Sequence, residues 1–142
     1  MRNQRPSLKP TLESDMEDSQ LGSADCLVKL AAATKAARVD VQLTQERDGK
    51  HQTPATNVFT DLEIETLAAL GPTLEGKTER QQNHHPRHSL AWAAWIIVRL
   101  GGWNCYYKQP GPITFRRGME QFHAIHRGRQ LEMRLQREVR IS

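Results

Sequence analysis

Cysteine is scarce in this chain: Cys26 and Cys105 are the only two among 142 residues. Small disulfide-held secreted domains carry several cysteines at regular spacing, so the pattern excludes such a scaffold and suits a reducing cytosol. Long apolar runs are also missing. The longest, Leu90 to Val98, falls far short of the ~20 residues a membrane helix needs. No apolar leader stretch follows Met1-Arg2-Asn3-Gln4-Arg5-Pro6, so the expected setting is cytoplasmic, with no membrane contact. Aromatic residues make up 6% and apolar residues 37% of the chain, enough for one modest core within the size of a single domain.

The machinery of most enzymes is absent too. There is no P-loop, no glycine-rich dinucleotide turn, no nucleophile elbow and no zinc-helix motif. Acid–base and metal-assisted chemistry need carboxylates gathered on ordered elements. Here Glu13, Asp15, Glu17 and Asp18 fall in a stretch with no apolar periodicity, and Glu63 reads more economically as a helix cap. The expectation is therefore no catalytic residue, no bound metal and no cofactor. His84, His85 and His88 cluster, and His123 and His126 are i, i+3 neighbours, but neither group has a cysteine or carboxylate at zinc-ligand spacing.

What the chain does have is charge of one sign in one half. Residues 1–75 contain 8 Lys/Arg against 12 Asp/Glu, whereas residues 76–142 contain 12 against 4. A polyanion would be met by the second half.

Helical periodicity organises the rest. Residues 1–20 read as a flexible arm or a severed linker. From Ser23, Leu27, Leu30, Ala31, Ala37 and Val41 recur at helical spacing in an alanine-rich background, predicting a helix to about Arg47, stopped by Asp48-Gly49. Val39 to Leu43 alternates like a strand but sits inside that helix-length pattern. Thr60 and Glu63 form a capping box, with Phe59 and Ile64 placed as a hydrophobic staple, and Gly71-Pro72 predicts the end of that second helix.

Residues 75–88 read as an exposed loop. Ser89 then caps Leu90 to Leu100, which is apolar on every face and so predicted to be the central helix, ended by Gly101-Gly102. Trp103 to Pro112 is expected to fold its aromatics back onto that helix. Thr114 opens a fourth helix with an apolar stripe of Phe115, Met119, Phe122 and Ile125. Beyond Gly128, Leu131, Leu135 and Val139 continue among Arg127, Arg129, Arg134, Arg137 and Arg140 as a basic tail, readable as a weakly anchored continuation. The fold class is all-α, a small bundle of about four helices with a flexible N-terminal arm and a basic C-terminal tail.

Two sets of residues stand out as binding candidates. Trp92, Trp95 and Ile96, with Arg99, are either bundle core or a subunit interface, where Trp and Arg are enriched. Arg116 and Arg117 are placed in the first turn of the fourth helix, where the dipole and free amides favour phosphate; the alternative is a solvated basic face.

Several segments together resemble a known family. They are Glu17-Asp18-Ser19-Gln20-Leu21, Glu63-Ile64-Glu65-Thr66-Leu67, Leu74-Glu75-Gly76-Lys77-Thr78, the run Ser89 to Trp103, Gly111-Pro112-Ile113-Thr114 and Arg117-Gly118. In register from about residue 8 to residue 128, the chain resembles the C-terminal part of bacterial DDE transposases of the insertion-sequence-four family, the Tn-five type. The resemblance implies domain limits of 1–20 for the arm, 21–128 for a helical dimerisation-type domain and 129–142 for the tail. In that family a ribonuclease-H-like domain uses three carboxylates with Mg²⁺ or Mn²⁺ to cut and rejoin DNA, and the helical domain mediates dimerisation.

Lys9 matches the closing lysine of the family's Tyr-x2-Arg-x3-Glu-x6-Lys signature, a DNA-contacting position. Arg2 stands where the glutamate belongs, and no tyrosine precedes it. The resemblance thus implies a truncated, catalytically inactive remnant that forms a homodimer or a mixed dimer with full-length transposase. The other readings are a small basic DNA-binding protein or a mixed-dimer inhibitor of transposition. Its expected place is the bacterial cytoplasm, or the nucleoid if it is bound to DNA.

Overall fold

Among the described residues four α-helices follow one another: α1 over Leu8–Glu46, α2 over Asp61–Leu74, α3 over Leu90–Leu100 and α4 over Pro112–Ile141. The structure is a computed structural model that describes the backbone of residues 8–106 and 108–141 and the side chains of 22–140 except 107. Among the described residues no strand forms; a single antiparallel bridge joins Pro54 and Ser89. The expected all-α fold is the observed one.

The chain divides into two compact units, Met1–Ala36 and Ala37–Ser142. In the first, α1 starts at Leu8, earlier than the helix expected from Ser23. Pro10 falls in the first turn, where its missing N–H costs no helix bond, and neither proline nor glycine interrupts residues 11–21. The stretch read as an arm is therefore helical from Leu8 onward; residues 1–7 lie outside the described residues. Every side chain from 22 to 36 is exposed, including Leu27, Val28 and Leu30.

The second unit holds the core. Leu90 to Val98 are all buried, so α3 is the central helix its composition predicts. Ser89 Oγ accepts from the Trp92 amide at 3.1 Å and caps it. Phe115 and Phe122 of α4 are fully buried, each worth about 1.5–3 kcal/mol. Phe122 meets Phe59 edge-on, with centroids 5.6 Å apart. Leu43, near the end of α1, is also fully buried in this cluster. The helices α3 and α4 cross closely because Gly118 has no side chain: a Cβ there would fall inside the van der Waals envelope of the Ile97 carbonyl.

The capping box of α2 forms as predicted. Glu63 N–H donates to Thr60 Oγ1 at 3.2 Å, and Thr60 N–H donates to Glu63 Oε1 at 2.9 Å. Its predicted end does not hold, because α2 passes through Gly71-Pro72 to Leu74. A proline so near the C-terminus removes one helix bond only, and the last turn gains others. Thr73 Oγ1 donates to the Leu70 carbonyl at 2.6 Å, and Arg99 donates through Nε and Nη2 to the Leu74 carbonyl at 3.0 and 2.8 Å. Gly71 is buried, its Cα turned toward the Ile96 side chain.

Further expectations about the second half are corrected. The helix α4 begins at Pro112 rather than Thr114, and it continues through Gly128 as the stripe beyond it allows. Proline at the first helical position is preset for a helix, and one glycine costs only about 1 kcal/mol against alanine. Arg116 and Arg117 consequently stand in the second turn, beyond the free amides. His126, not Ile125, extends the buried stripe: His126 is 9% exposed and Ile125 37%. Tyr106 leaves α3 and bonds Thr78 Oγ1 through its hydroxyl at 2.6 Å, while Cys105 takes the buried place. Trp103 does pack against the core, and Tyr107 lies outside the described residues.

Candidate functional site

At ~100° per residue, the face of α4 that meets the bundle runs through Phe115, Gly118, Phe122 and His126. Continuing the same turn, Leu131, Leu135 and Val139 stand about 140°, 180° and 220° around from His126. They lie on the outer face, and they are 53%, 52% and 73% exposed. Ile113, 70% exposed, lies on the same outer face directly after Pro112. All side chains from 130 to 140 are exposed. The last half of α4 is thus a helix with an apolar outer stripe, and Arg127, Arg134, Arg137 and Arg140 are exposed around it.

Where α4 leaves the bundle, three residues converge on one oxygen. Thr66 of α2 is buried, and its hydroxyl lies 2.8 Å from His126 Nδ1, accepts from Arg129 Nη1 at 3.2 Å and faces the Leu62 carbonyl at 3.2 Å. The His126 ring stacks on Phe122, 5.7 Å between centroids and 12° between planes. One turn earlier, His123 Nδ1 lies 4.0 Å from Glu63 Oε2. Nothing in the sequence pattern pairs Thr66 with residues 60 and more positions away; the only trace is that His126 keeps the helical register of Phe115, Met119 and Phe122.

The candidate residues are dispersed. Trp92, Trp95 and Ile96 are buried within this chain's own core. Arg99 lies over the Trp95 ring at 5.7 Å and spends its donors on the Leu74 and Trp103 carbonyls, so it closes the end of α2 onto α3. Arg116 Nε donates to Asp40 Oδ2 at 3.3 Å, an ion pair between the end of α1 and α4. Arg117 is exposed. The Lys9 side chain lies outside the described residues. Arg116 is thus paired with Asp40 rather than standing free at the start of α4.

Electrostatics follow burial. Asp40 is 5% exposed, and burial raises its pKa above the ordinary carboxylate value although Arg116 pulls it down; Glu120 adds a push upward. Burial likewise raises the Cys105 thiol, against the pull of Arg99. His85 is lowered, first by burial and then by neighbouring His84. The loop histidines do not converge: His84 Nε2 bonds the Glu79 carbonyl at 2.8 Å, while the His88 ring lies 5.5 Å from Trp92. Among the described residues, no group of three or more His, Cys, Asp or Glu is placed to hold a metal ion, and no helix is long and apolar enough to cross a membrane.

Comparison with known proteins returned no matching family model, curated protein or solved structure.

Proposed function

We propose that this chain is an interaction module: the helical, non-catalytic portion of a transposase of the insertion-sequence-four, Tn-five type. In this reading it pairs with itself or with a full-length transposase, and a mixed dimer inhibits transposition. The resemblance across residues 8–128 supports the assignment, together with an all-α fold of the kind it implies. The observation that carries the pairing is the outer stripe of α4. Leu131 and Leu135 are each more than half exposed on the face turned away from the bundle, a position that only a second molecule or another element could cover.

The strength of such pairing can be bounded. Two copies bury four side chains, Leu131 and Leu135 of each, and each gains on the order of 1 kcal/mol because it starts half covered. About 4 kcal/mol corresponds to a Kd of about 1 mM, and association costs weaken it further, so pairing through these residues alone is weak. Light scattering on the purified chain must therefore reach millimolar concentration. The expected result is a mass rising toward a dimer at low and high salt alike. Leu131→Glu with Leu135→Glu should hold the protein monomeric while leaving its melting temperature unchanged. A chain that stays monomeric and also fails to bind a full-length relative would remove the reading.

A second reading rests on the exposed Arg127, Arg134, Arg137 and Arg140, which would follow phosphates along a nucleic acid. Its signature is affinity for duplex DNA that falls steeply between low and physiological salt.

A further inference from the structure

Residues 22–38 of α1 have no covered side chain: all are exposed, Leu27 at 66% and Leu30 at 63% among them. These two leucines stand about 60° apart around the helix and share one face. Val41, 47% exposed, carries the same face on. Six alanines between residues 24 and 37 keep the surrounding surface low, which lets another helix approach closely.

Charge is sorted along the same helix. Residues 13–25 contain five acids, Glu13, Asp15, Glu17, Asp18 and Asp25, and no base. Residues 26–39 contain Lys29, Lys35 and Arg38 and no acid. Lys29 Nζ meets Asp25 Oδ2 at 3.0 Å one turn away, but with side chains 76% and 64% exposed that pair is worth little. Lys35 and Arg38 are exposed. A uniformly basic helix would match only the acidic block, and a uniformly acidic one only the basic block. The same helix reversed matches both: antiparallel, acid lies along base twice over, whereas parallel alignment sets like against like.

We propose that α1 is a second self-pairing surface, on which two copies lie antiparallel with Leu27 of each against Leu30 of the other and the acidic block of each along the basic block of the other. A twofold axis between residues 28 and 29 makes both leucine contacts at once. This register sets residues 13–25 of one copy alongside 32–44 of the other, where Lys35 and Arg38 are exposed and Asp40 is already paired with Arg116. The inference rests on the reading that the chain pairs with a second copy, and it adds a contact to that dimer. Each surface offers two leucines per copy and is weak alone. Joined in one dimer, the second contact closes without a second loss of translational freedom.

The test is sedimentation equilibrium on the full chain over a concentration series reaching millimolar, with circular dichroism to show that every variant keeps its helix content. Lys29→Glu with Lys35→Glu and Arg38→Glu reverses the basic block at exposed positions. Antiparallel pairing then sets acid against acid, and the dissociation constant should rise about tenfold or more. Parallel pairing would not change, because like already faces like. Leu27→Glu with Leu30→Glu should weaken the dimer by a similar factor. Glu13→Lys with Glu17→Lys and Asp18→Lys should also weaken self-pairing, yet mixed with the reversed basic block it should restore the parent's affinity in a dimer of one of each. A reversed basic block or a Leu27→Glu, Leu30→Glu variant that pairs like the parent would overturn the α1 contact while leaving pairing through α4 standing. A mixture no tighter than either variant alone would overturn it too, by giving the basic block another occupant. A parent that stays monomeric throughout removes this contact as well; the pairing reading itself then falls only if the chain also fails to bind a full-length relative.

Discussion

Removing the Arg116 guanidinium isolates a buried carboxylate, and the consequence can be worked through. Asp40 is 5% exposed, and its Oδ2 accepts from Arg116 Nε at 3.3 Å. Breaking a fully buried pair by deleting one partner costs about 3–5 kcal/mol. The Arg116 side chain is 50% exposed, so water can reach the vacated place, and the expected cost of Arg116→Ala falls to about 1–2 kcal/mol. For a cooperative unit of roughly 100 residues, each kcal/mol lowers the melting temperature by about 4–8 °C.

The pH dependence carries the sharper test. Burial raises the Asp40 pKa in the folded state above its unfolded value. The native state therefore holds a proton that the unfolded state has already lost. Stability from this group is fully present below the unfolded pKa, near 3.8, and declines as pH rises through the folded pKa. Arg116→Ala removes the pull that keeps that pKa down, so its cost should grow as pH climbs from 3.5 to 7. Asp40→Asn removes the charge, so its stability relative to the parent should improve over the same interval. Thermal melts of the three proteins across that range measure both trends. A cost for Arg116→Ala that is independent of pH, or an Asp40→Asn variant that loses ground as pH rises, would refute burial as the dominant influence on Asp40.

Other consequences can be measured on the same material. Gly118→Ala drives a methyl into the Ile97 carbonyl and should cost about 3 kcal/mol, the upper end for overpacking, seen as a fall in the urea midpoint. Thr60→Ala removes half of the capping box and should cost about 1 kcal/mol by the same measurement, with the fold retained. Thiol labelling at neutral pH should be fast at exposed Cys26 and slow at buried Cys105, whose raised pKa leaves little thiolate. Denaturation should make the two equal.

Much of the helical skeleton was legible along the chain. The Thr60/Glu63 box, the Ser89 cap and the Gly101-Gly102 stop act between residues at most a few positions apart. Their energies arise within one turn, and a reader of neighbours finds them. The all-apolar run of α3 likewise states that this helix is surrounded, whatever surrounds it.

The failures share a different cause. Gly71-Pro72 looked like a stop because its neighbours give no hint of Arg99, 25 residues beyond Leu74, closing the last turn. Arg116 looked available for phosphate because Asp40, its partner, lies 76 residues away. Hydrophobicity favours Ile125 over His126 when no partner is in view, whereas the packed helix admits only the residue whose direction is right. The order and composition of the residues thus determined the helices, their caps and the all-α class, since those depend on bonds within a turn. Packing decided which cations are spent on internal carbonyls and carboxylates, which face of α4 is left outward, and that His126 and Arg129 meet at one threonine hydroxyl. Those outcomes depend on distances between residues that meet only once the chain has folded.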